Sequence, residues 1–226
     1  HLLGLYSPYV QRVVLVLNPE HERIVTRHLE NMRFRVNVAL QPAPTGMLDA
    51  IRLADAVVRR ARPGRVWITW CDQIAVHPVT VARLVDLSEA GPDAALVFPT
   101  VERRDPYIHL VRNDAGEIVR ILHRREGDTM PEVGESDSGL FALSSVAFFD
   151  LLPSFAGEVR EGSTTGERNF LPFIPWLAGR AVVRTFPCVD EVEAIGVNTP
   201  EELRIVERCL LARQTPDAGT QQRSRP

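Results

Sequence analysis

The sequence contains no lysine, so all 26 of its lysine-or-arginine residues are arginine. A phosphate-binding site in this protein must therefore use arginine, backbone N–H groups or a metal ion. The net charge of −3 also lacks the basic surplus that nucleic-acid-binding proteins carry. We therefore expect no nucleic-acid partner.

Cysteines and long apolar runs are also scarce. The three cysteines, Cys71, Cys188 and Cys209, show no C-x-x-C spacing, which is typical of a reduced cytoplasmic protein without a disulfide framework or zinc site. No apolar run approaches the length of a membrane span, so we expect no membrane partner. Neither a nucleophile elbow nor a Walker-type glycine loop is present, which disfavours covalent hydrolases and P-loop kinases.

The first half of the chain alternates apolar, β-branched runs with segments of helical periodicity. This pattern predicts parallel strands joined by crossover helices, and hence a layered α/β sheet. Asn18 and Pro19 supply the N-cap and first position of a predicted helix. The predicted strands are 13–17, 34–40, 66–70 and 94–98, and helices are predicted after Asn18, at 47–60 and at 78–89.

The second half begins with a predicted β-hairpin, whose strands at 107–112 and 118–122 flank a turn at 113–116. Thr199 and Glu202 form a capping-box pattern at the start of the last helix. The other predicted elements are strands at 139–142 and 181–186 and helices at 145–152 and 167–177. We predict one domain over 1–213 and a disordered tail over 214–226.

Asp72 lies directly after the predicted strand 66–70. Ligands of open α/β sheets bind beyond the carboxyl ends of the strands, so a carboxylate there is well placed to hold a divalent metal ion. A turn or helix-capping aspartate is the alternative. Asn198, in the run Gly196-Val-Asn198, precedes the last helix, and because Thr199 can cap that helix the Asn198 amide is free for a metal ion or a phosphate.

Two further segments have residue types suited to ligand binding. Gln41-Pro-Ala-Pro-Thr-Gly46 joins a strand to a helix, where glycine and helical N–H groups admit an anion or a base edge, although such turns also occur without ligands. Gly134-Glu-Ser-Asp-Ser-Gly139 is the entry into the predicted strand 139–142, and Glu135 and Asp137 are two positions apart on this emerging strand and so point to one face. They could bind acceptor hydroxyls or form a solvated turn.

Taken in order, these features resemble the sugar-phosphate nucleotidyltransferases, a family of MobA-like NTP transferases that includes N-acetylglucosamine-1-phosphate uridylyltransferase domains. The resemblance implies a three-layer, Rossmann-like fold with a mostly parallel central sheet and an acceptor-side β-hairpin. It implies that Gln41, Thr45, Gly46 and Asp72 contact the nucleotide and that Asp72 and Asn198 hold Mg²⁺ as the catalytic pair.

The resemblance also implies an acceptor site. It assigns Glu135, Asp137 and Glu167 to acceptor binding, and Arg112 and Arg125 are candidates for the acceptor phosphate, with solvated hairpin charges as the alternative. The family has asparagine where this sequence has Asp137, so N-acetylglucosamine 1-phosphate should be a poor acceptor. The family's first strand and glycine-rich loop have no counterpart here, and we expect them upstream of His1.

These observations predict a cytoplasmic nucleotidyltransferase. It would transfer a nucleoside monophosphate from a nucleoside triphosphate to a small phosphorylated acceptor, a sugar phosphate or phosphonate, with release of pyrophosphate. One alternative is a glycosyltransferase with a nucleotide-sugar donor, although Cys71-Asp72-Gln73 is not the usual Asp-x-Asp. Another is a non-catalytic nucleotide-binding regulatory module. The sequence does not indicate the oligomeric state.

Overall fold

The computed structural model describes residues 1–30 and 36–214. The strands are β1 (Val13–Leu17), β2 (Val36–Leu40), β3 (Arg65–Thr69), β4 (Leu96–Arg104), β5 (Ile108–Arg112), β6 (Ile118–His123), β7 (Val133–Asp137), β8 (Leu140–Ser144) and β9 (Val183–Pro187). The helices are α1 (Leu2–Tyr6), α2 (Glu22–Leu29), α3 (Met47–Leu53), α4 (Asp55–Ala61), α5 (Pro78–Ala90), α6 (Leu152–Glu158), α7 (Phe173–Ala178) and α8 (Pro200–Gln214). None of the described helices is long and apolar enough to cross a membrane.

The central sheet is built around β4, the longest strand. β9 runs parallel along one part of β4, whereas β8 and β7 pair antiparallel with its first and second halves. β8 also pairs antiparallel with β3, so it lies between β3 and β4. The sequence predicted a mostly parallel central sheet and did not foresee this insertion. Three of the four strand pairings described in the central sheet are antiparallel and one, β4 with β9, is parallel. β8 follows β7 after a two-residue bend, keeps the direction of β7, and is therefore antiparallel to β4.

Alternating side chains of the central strands pack into two separate apolar clusters, one on each face of the sheet. In β4, Leu96 and Phe98 belong to the larger cluster, which includes residues of α3, α6 and α7, and Val97 belongs to the smaller cluster. The smaller cluster contains Val81 and Leu84 of α5. Because a strand has a two-residue period, this alternation produces the three layers that the sequence predicted.

β1 and β2 form a separate parallel pair, connected by α2. Among the described strands, β2 is the sole partner of β1, and β8 is the sole partner of β3. The sequence of β1 is entirely apolar, yet each of its residues remains partly exposed. The prediction of a strand at 34–40 is confirmed from Val36, and Phe34 and Arg35 lie outside the described residues.

The predicted hairpin is present as β5 and β6, and the side chain of Asn113 stabilises its turn by accepting hydrogen bonds from the N–H groups of Ala115 and Glu117. The predicted helix at 167–177 was wrong at its start, because α7 begins at Phe173. Arg168 lies outside the helix and is bonded to another segment, since its N–H donates to the carbonyl of Thr45 and its carbonyl accepts from the N–H of Leu48.

The last helix begins as predicted. Thr199 Oγ1 accepts from the N–H of Glu202 (3.2 Å), and Glu202 Oε2 accepts from the N–H of Thr199 (2.7 Å), which completes the capping box. The helix extends to Gln214, the first residue assigned to the tail, and residues 215–226 lie outside the described residues.

Candidate active site

A large cleft, with a volume of about 1680 Å³, opens between β1 and the central sheet. Its walls include side chains of β1 and β3, whose facing edges have no strand between them in the described structure. A second set of lining residues surrounds the carboxyl end of β3: Asp72, Arg103, Asp137, Asn198 and Glu202. A third set comes from the hairpin and from the segment before α7: Tyr107, His123, Arg125, Glu167 and Asn169.

Asp72 and Asn198 meet at Gly196. A β-carbon on Gly196 would lie 2.7 Å from Asp72 Oδ2 and 3.2 Å from Asn198 Nδ2, so both side chains approach the same point. The two loops are also joined through the backbone, because the N–H of Val197 donates to the carbonyl of Asp72 (3.0 Å). The structure therefore brings together the two residues that the sequence predicted as a pair.

Asp137 lies beside this pair at the end of β7. Its side chain is only 4% exposed, and Oδ1 accepts from the N–H of Gly139 at 2.8 Å. Burial raises the pKa of Asp137 to about 6, and the negative charge of Asp72 adds to the rise while the N–H of Gly139 opposes it. The carboxylates of Asp72 and Asp137 are thus electrostatic neighbours.

The hairpin side of the cleft is polar and internally paired. Arg125 Nη2 donates to Glu167 Oε1 at 2.9 Å, and Asn169 Nδ2 lies 3.0 Å from His123 Nδ1. The His123 ring also contacts Tyr107 edge-on. Burial lowers the pKa of His123, which favours a neutral ring that accepts from the Asn169 amide at Nδ1. Its Nε2–H then remains as a donor.

The predicted nucleotide turn faces elsewhere. Gln41 Nε2 donates to the carbonyl of Gly46 (3.1 Å) and lies 3.3 Å from Thr45 Oγ1, so the glutamine braces its own turn. Gln41 and Thr45 line a separate cavity of about 580 Å³. The structure does not place Gln41 and Thr45 in the cleft that contains Asp72. Their proposed contact with the nucleotide therefore stays a prediction.

Arg112 and Glu135 are bonded to one another and do not line the cleft. Two nitrogens of Arg112 donate to the two carboxylate oxygens of Glu135 at 2.6 and 2.7 Å, and Nη2 also donates to Thr185 Oγ1. The hydrogen bond to Glu135 raises the pKa of Arg112. This fork ties the hairpin to β7 and β9. Asp137 and Glu135 share a strand face by spacing, yet only Asp137 reaches the cleft.

The residues at Gly196 suit a magnesium ion. Asp72 offers a carboxylate and Asn198 an amide oxygen, which are the hard donors that Mg²⁺ prefers, and the Asn198 amide can present its oxygen by rotating. The described residues hold no group of three His, Cys, Asp or Glu side chains suited to a metal. Two protein ligands are nevertheless typical of a magnesium site that phosphate oxygens complete.

The sequence did not single out Arg103, His123 or Asn169 as residues of the cleft. Arg103 Nη1 donates to the carbonyl of Ala194 at 3.0 Å, which places the guanidinium beside the loop that ends at Asn198. Nothing in the local sequence distinguishes Arg103 from its neighbour Arg104, which pairs with Glu132 at the surface. His123 and Asn169 had a weak signal, since both lie close to residues already singled out.

The chain matches the family model of the MobA-like NTP transferase domain over residues 1–140. That match covers more than half of the chain, and the chain belongs to this family. It is accordingly a member of the sugar-phosphate nucleotidyltransferases, with the Rossmann-like α/β fold that the sequence predicted.

Among curated proteins, the chain is similar to bifunctional protein GlmU from Corynebacterium diphtheriae, with 28% identity over 225 residues that cover 96% of this chain and 45% of the relative. It is also 28% identical to GlmU from Maricaulis maris, over 77% of this chain and 38% of the relative. The chain thus spans less than half the length of these relatives.

Among solved structures, the fold is similar to the crystal structure of HddC from Yersinia pseudotuberculosis. The TM-score is 0.59 at 17% sequence identity, and the match covers 93% of this chain and 83% of HddC. At this identity the similarity supports the fold and nothing about substrates.

Proposed function

We propose that this protein is a magnesium-dependent nucleotidyltransferase that joins a nucleoside monophosphate to a small phosphorylated acceptor and releases pyrophosphate. The observation that carries the proposal is the convergence of Asp72 and Asn198 on Gly196, in a cleft of a protein that belongs to the NTP transferase family. The family also favours nucleotidyl transfer over glycosyl transfer.

The reaction needs positioning more than covalent help. An acceptor phosphate or phosphonate oxygen forms a bond to the α-phosphorus of the nucleotide, and the bond from that phosphorus to the β-phosphate oxygen breaks with pyrophosphate as the leaving group. A bound Mg²⁺ supplies charge neutralisation at the phosphates. Asp72 and Asn198 would hold it, and no side chain is required as a nucleophile.

Arginine must supply the remaining positive charge, because lysine is absent. Among the described residues, the arginines that line the cleft are Arg12, Arg62, Arg65, Arg103 and Arg125. Arg65, which also lines it, is committed to the backbone carbonyls of Ser88, Gly91 and Ala94. We assign phosphate contacts to Arg103, whose guanidinium lies beside the loop that ends at Asn198, and to Arg125, on the hairpin side of the cleft.

The acceptor is proposed to carry one phosphate or phosphonate and a hydroxyl- or amine-bearing body. Asp137 adds negative charge beside Asp72, which disfavours a second anionic group on the acceptor. On the hairpin side, the donor on His123 and the carboxylate of Glu167 suit hydroxyl or amine groups. N-acetylglucosamine 1-phosphate should then be a poor acceptor.

The test is pyrophosphate release by the full-length protein, with a panel of nucleoside triphosphates and phosphorylated acceptors. Asp72→Ala should abolish release while circular dichroism shows an intact fold. Asp86→Ala, an exposed aspartate on α5, is the matched control and should leave the rate unchanged. Activity of Asp72→Ala within about tenfold of wild type at saturating Mg²⁺ would contradict the metal role.

We also propose that one more strand, from the segment upstream of His1, occupies the space between β1 and β3. Support comes from the single partner that each of these strands has among the described strands, from the partly exposed apolar residues of β1, and from the cleft that both strands line. A parallel strand there would satisfy both edges and bury β1, as expected of an apolar strand.

The 226-residue chain and a version extended upstream of His1 would be compared by calorimetry with nucleoside triphosphates. The extended protein should bind nucleotide and turn over, whereas the shorter chain should bind weakly and show little activity. Micromolar binding and full turnover by the shorter chain would refute the proposal of an added strand. Nucleotide binding without turnover by the extended protein would instead favour the non-catalytic nucleotide-binding module.

A further inference from the structure

Glu193 is a fully buried carboxylate that the proposed reaction does not use. It lies in the short 3₁₀ turn Glu191–Ala194, just before Gly196 and Asn198, and its exposed fraction is 0%. Burying a carboxylate is costly unless hydrogen bonds replace its hydration. A buried glutamate next to a substrate-binding loop therefore needs a physical account.

Four neutral donors surround the Glu193 carboxylate. Oε2 accepts from the N–H of His77 at 2.9 Å, and Oε1 accepts from Thr80 Oγ1 at 2.9 Å. Oε1 also accepts from the N–H groups of Val189 (2.9 Å) and Asp190 (3.1 Å). The carboxylate is thus fully solvated by protein donors, and two of these belong to the first turn of α5, whose positive dipole end favours a negative charge.

These bonds join the two loops that supply the proposed metal ligands. Asp72 lies in the loop that leads from β3 into α5, and Asn198 lies in the loop that follows Glu193. Two further contacts run in parallel: Gln73 Nε2 donates to the carbonyl of Ala194 at 3.4 Å, and the N–H of Val197 donates to the carbonyl of Asp72 at 3.0 Å. Glu193 is the charged, buried member of this connection.

We propose that Glu193 is a positioning residue that fixes the separation of Asp72 and Asn198 and thereby sets the affinity for a divalent cation. The inference rests on the proposed metal site. It differs from a purely structural role, in which loss of the carboxylate would lower stability without changing cation binding.

The test is titration of Mn²⁺ into the 226-residue chain, followed by electron paramagnetic resonance. Glu193→Gln replaces one acceptor oxygen by an NH₂ group, which must face an N–H or hydroxyl donor, so one side of the connection is lost. The dissociation constant should rise about 10–100-fold, the range for residues that orient metal ligands. Glu191→Gln removes the same charge from an exposed position of the same turn and should change nothing.

Thr80 offers a second, milder pair of variants. Thr80→Val deletes one donor to Glu193 and keeps the carboxylate and its backbone donors, and should weaken Mn²⁺ binding by about threefold to tenfold. Thr80→Ser restores the hydroxyl and should bind like wild type. If Glu193→Gln does not fold, as judged by circular dichroism, the Thr80 pair decides the question.

Asp72→Asn separates the two levels of the proposal. Unchanged Mn²⁺ binding by Asp72→Asn would contradict the proposed metal site itself. A folded Glu193→Gln chain whose dissociation constant stays within about twofold of wild type, while Asp72→Asn binds weakly, would overturn only the role of Glu193. A lower melting temperature of Glu193→Gln with unchanged Mn²⁺ binding would also contradict the role of Glu193. Equal Mn²⁺ dissociation constants for Thr80→Val and Thr80→Ser would contradict it as well.

Discussion

At the scale of the residue, the candidate site depends on the lack of a side chain at Gly196. Gly196 has no β-carbon, and the space where one would lie is approached by Asp72 Oδ2 and by the Asn198 amide. The sequence drew attention to Asn198 and to its neighbour Gly196, but the reason for glycine is visible only when the loop after β3 is placed beside it.

Gly196→Ala should therefore separate Asp72 from Asn198 while the fold is retained. A contact of 2.7 Å is too short for a β-carbon, so one of the two ligands must move. A displacement of one ligand by about 1 Å should lower kcat/KM by about a hundredfold and weaken Mn²⁺ binding. Gly157→Ala, in α6 with no atom within 4 Å of the new β-carbon, is the matched control. Equal kinetics for the two variants would contradict the proposed pair.

At the scale of the element, the turn between β2 and α3 is attached to the segment that precedes α7. The carbonyl of Thr45 accepts from the N–H of Arg168, and the carbonyl of Arg168 accepts from the N–H of Leu48. The Arg168 guanidinium adds an ion pair with Asp49 at 2.7 Å. This connection joins the predicted nucleotide turn to Glu167 and Asn169 on the hairpin side of the cleft.

Gly46 is the point of closest approach in this connection. Its φ is 112°, and an added β-carbon would lie 2.4 Å from the carbonyl oxygen of Arg168. Because both the backbone conformation and the space exclude a side chain, Gly46→Ala should lower the free energy of unfolding by roughly 3 kcal/mol or more. Urea denaturation measures the change.

The comparison for Gly46→Ala is Gly4→Ala, since Gly4 lies within α1 and has no atom within 4 Å of an added β-carbon. Alanine there should stabilise the protein by roughly 0.5–1 kcal/mol, because glycine is unfavourable inside a helix. Similar unfolding midpoints for the two variants would show that the turn does not need its contact with Arg168.

At the scale of the whole molecule, the stability of the protein should depend on the protonation of His123. Burial lowers its pKa from 6.5, Arg125 acts in the same direction, and nearby carboxylates oppose the shift. The opposing carboxylates are Glu126, Asp128 and Glu167. The unfolded chain then binds more protons than the native one below the ordinary pKa, so stability is lost as pH falls from about 6.5 through the lowered native value.

Melting temperatures of wild type and His123→Gln at pH 7.5 and 5.5 test this dependence. The wild-type melting temperature should fall further than that of the variant, by about 2 °C, since only wild type must protonate a half-buried ring. His21→Gln, which removes an exposed histidine, should follow wild type. If the melting temperatures of His123→Gln and wild type fall equally between pH 7.5 and 5.5, protonation of His123 does not change the stability of the protein, and the prediction is wrong.

The sequence by itself determined most of the elements. Periodicity predicted β1, β3, α5 and the β5–β6 hairpin. The spacing of apolar residues in a segment indicates which of its faces is buried, whatever neighbour that face packs against. The capping box of Thr199 and Glu202 was equally readable, since its hydrogen bonds are local. The pair Asp72 and Asn198 came from the resemblance, and the structure brings it together.

Only the tertiary structure decided which of the other polar residues face the cleft. Their spacing places Glu135 and Asp137 on the same face of a strand. Arg112 nevertheless binds the carboxylate of Glu135, whereas Asp137 lies beside Asp72. The start of α7 and the insertion of β8 were likewise set by distant partners. The physical reason is the same in each case: hydrogen bonds and ion pairs between segments far apart in sequence leave no local pattern from which they could be predicted.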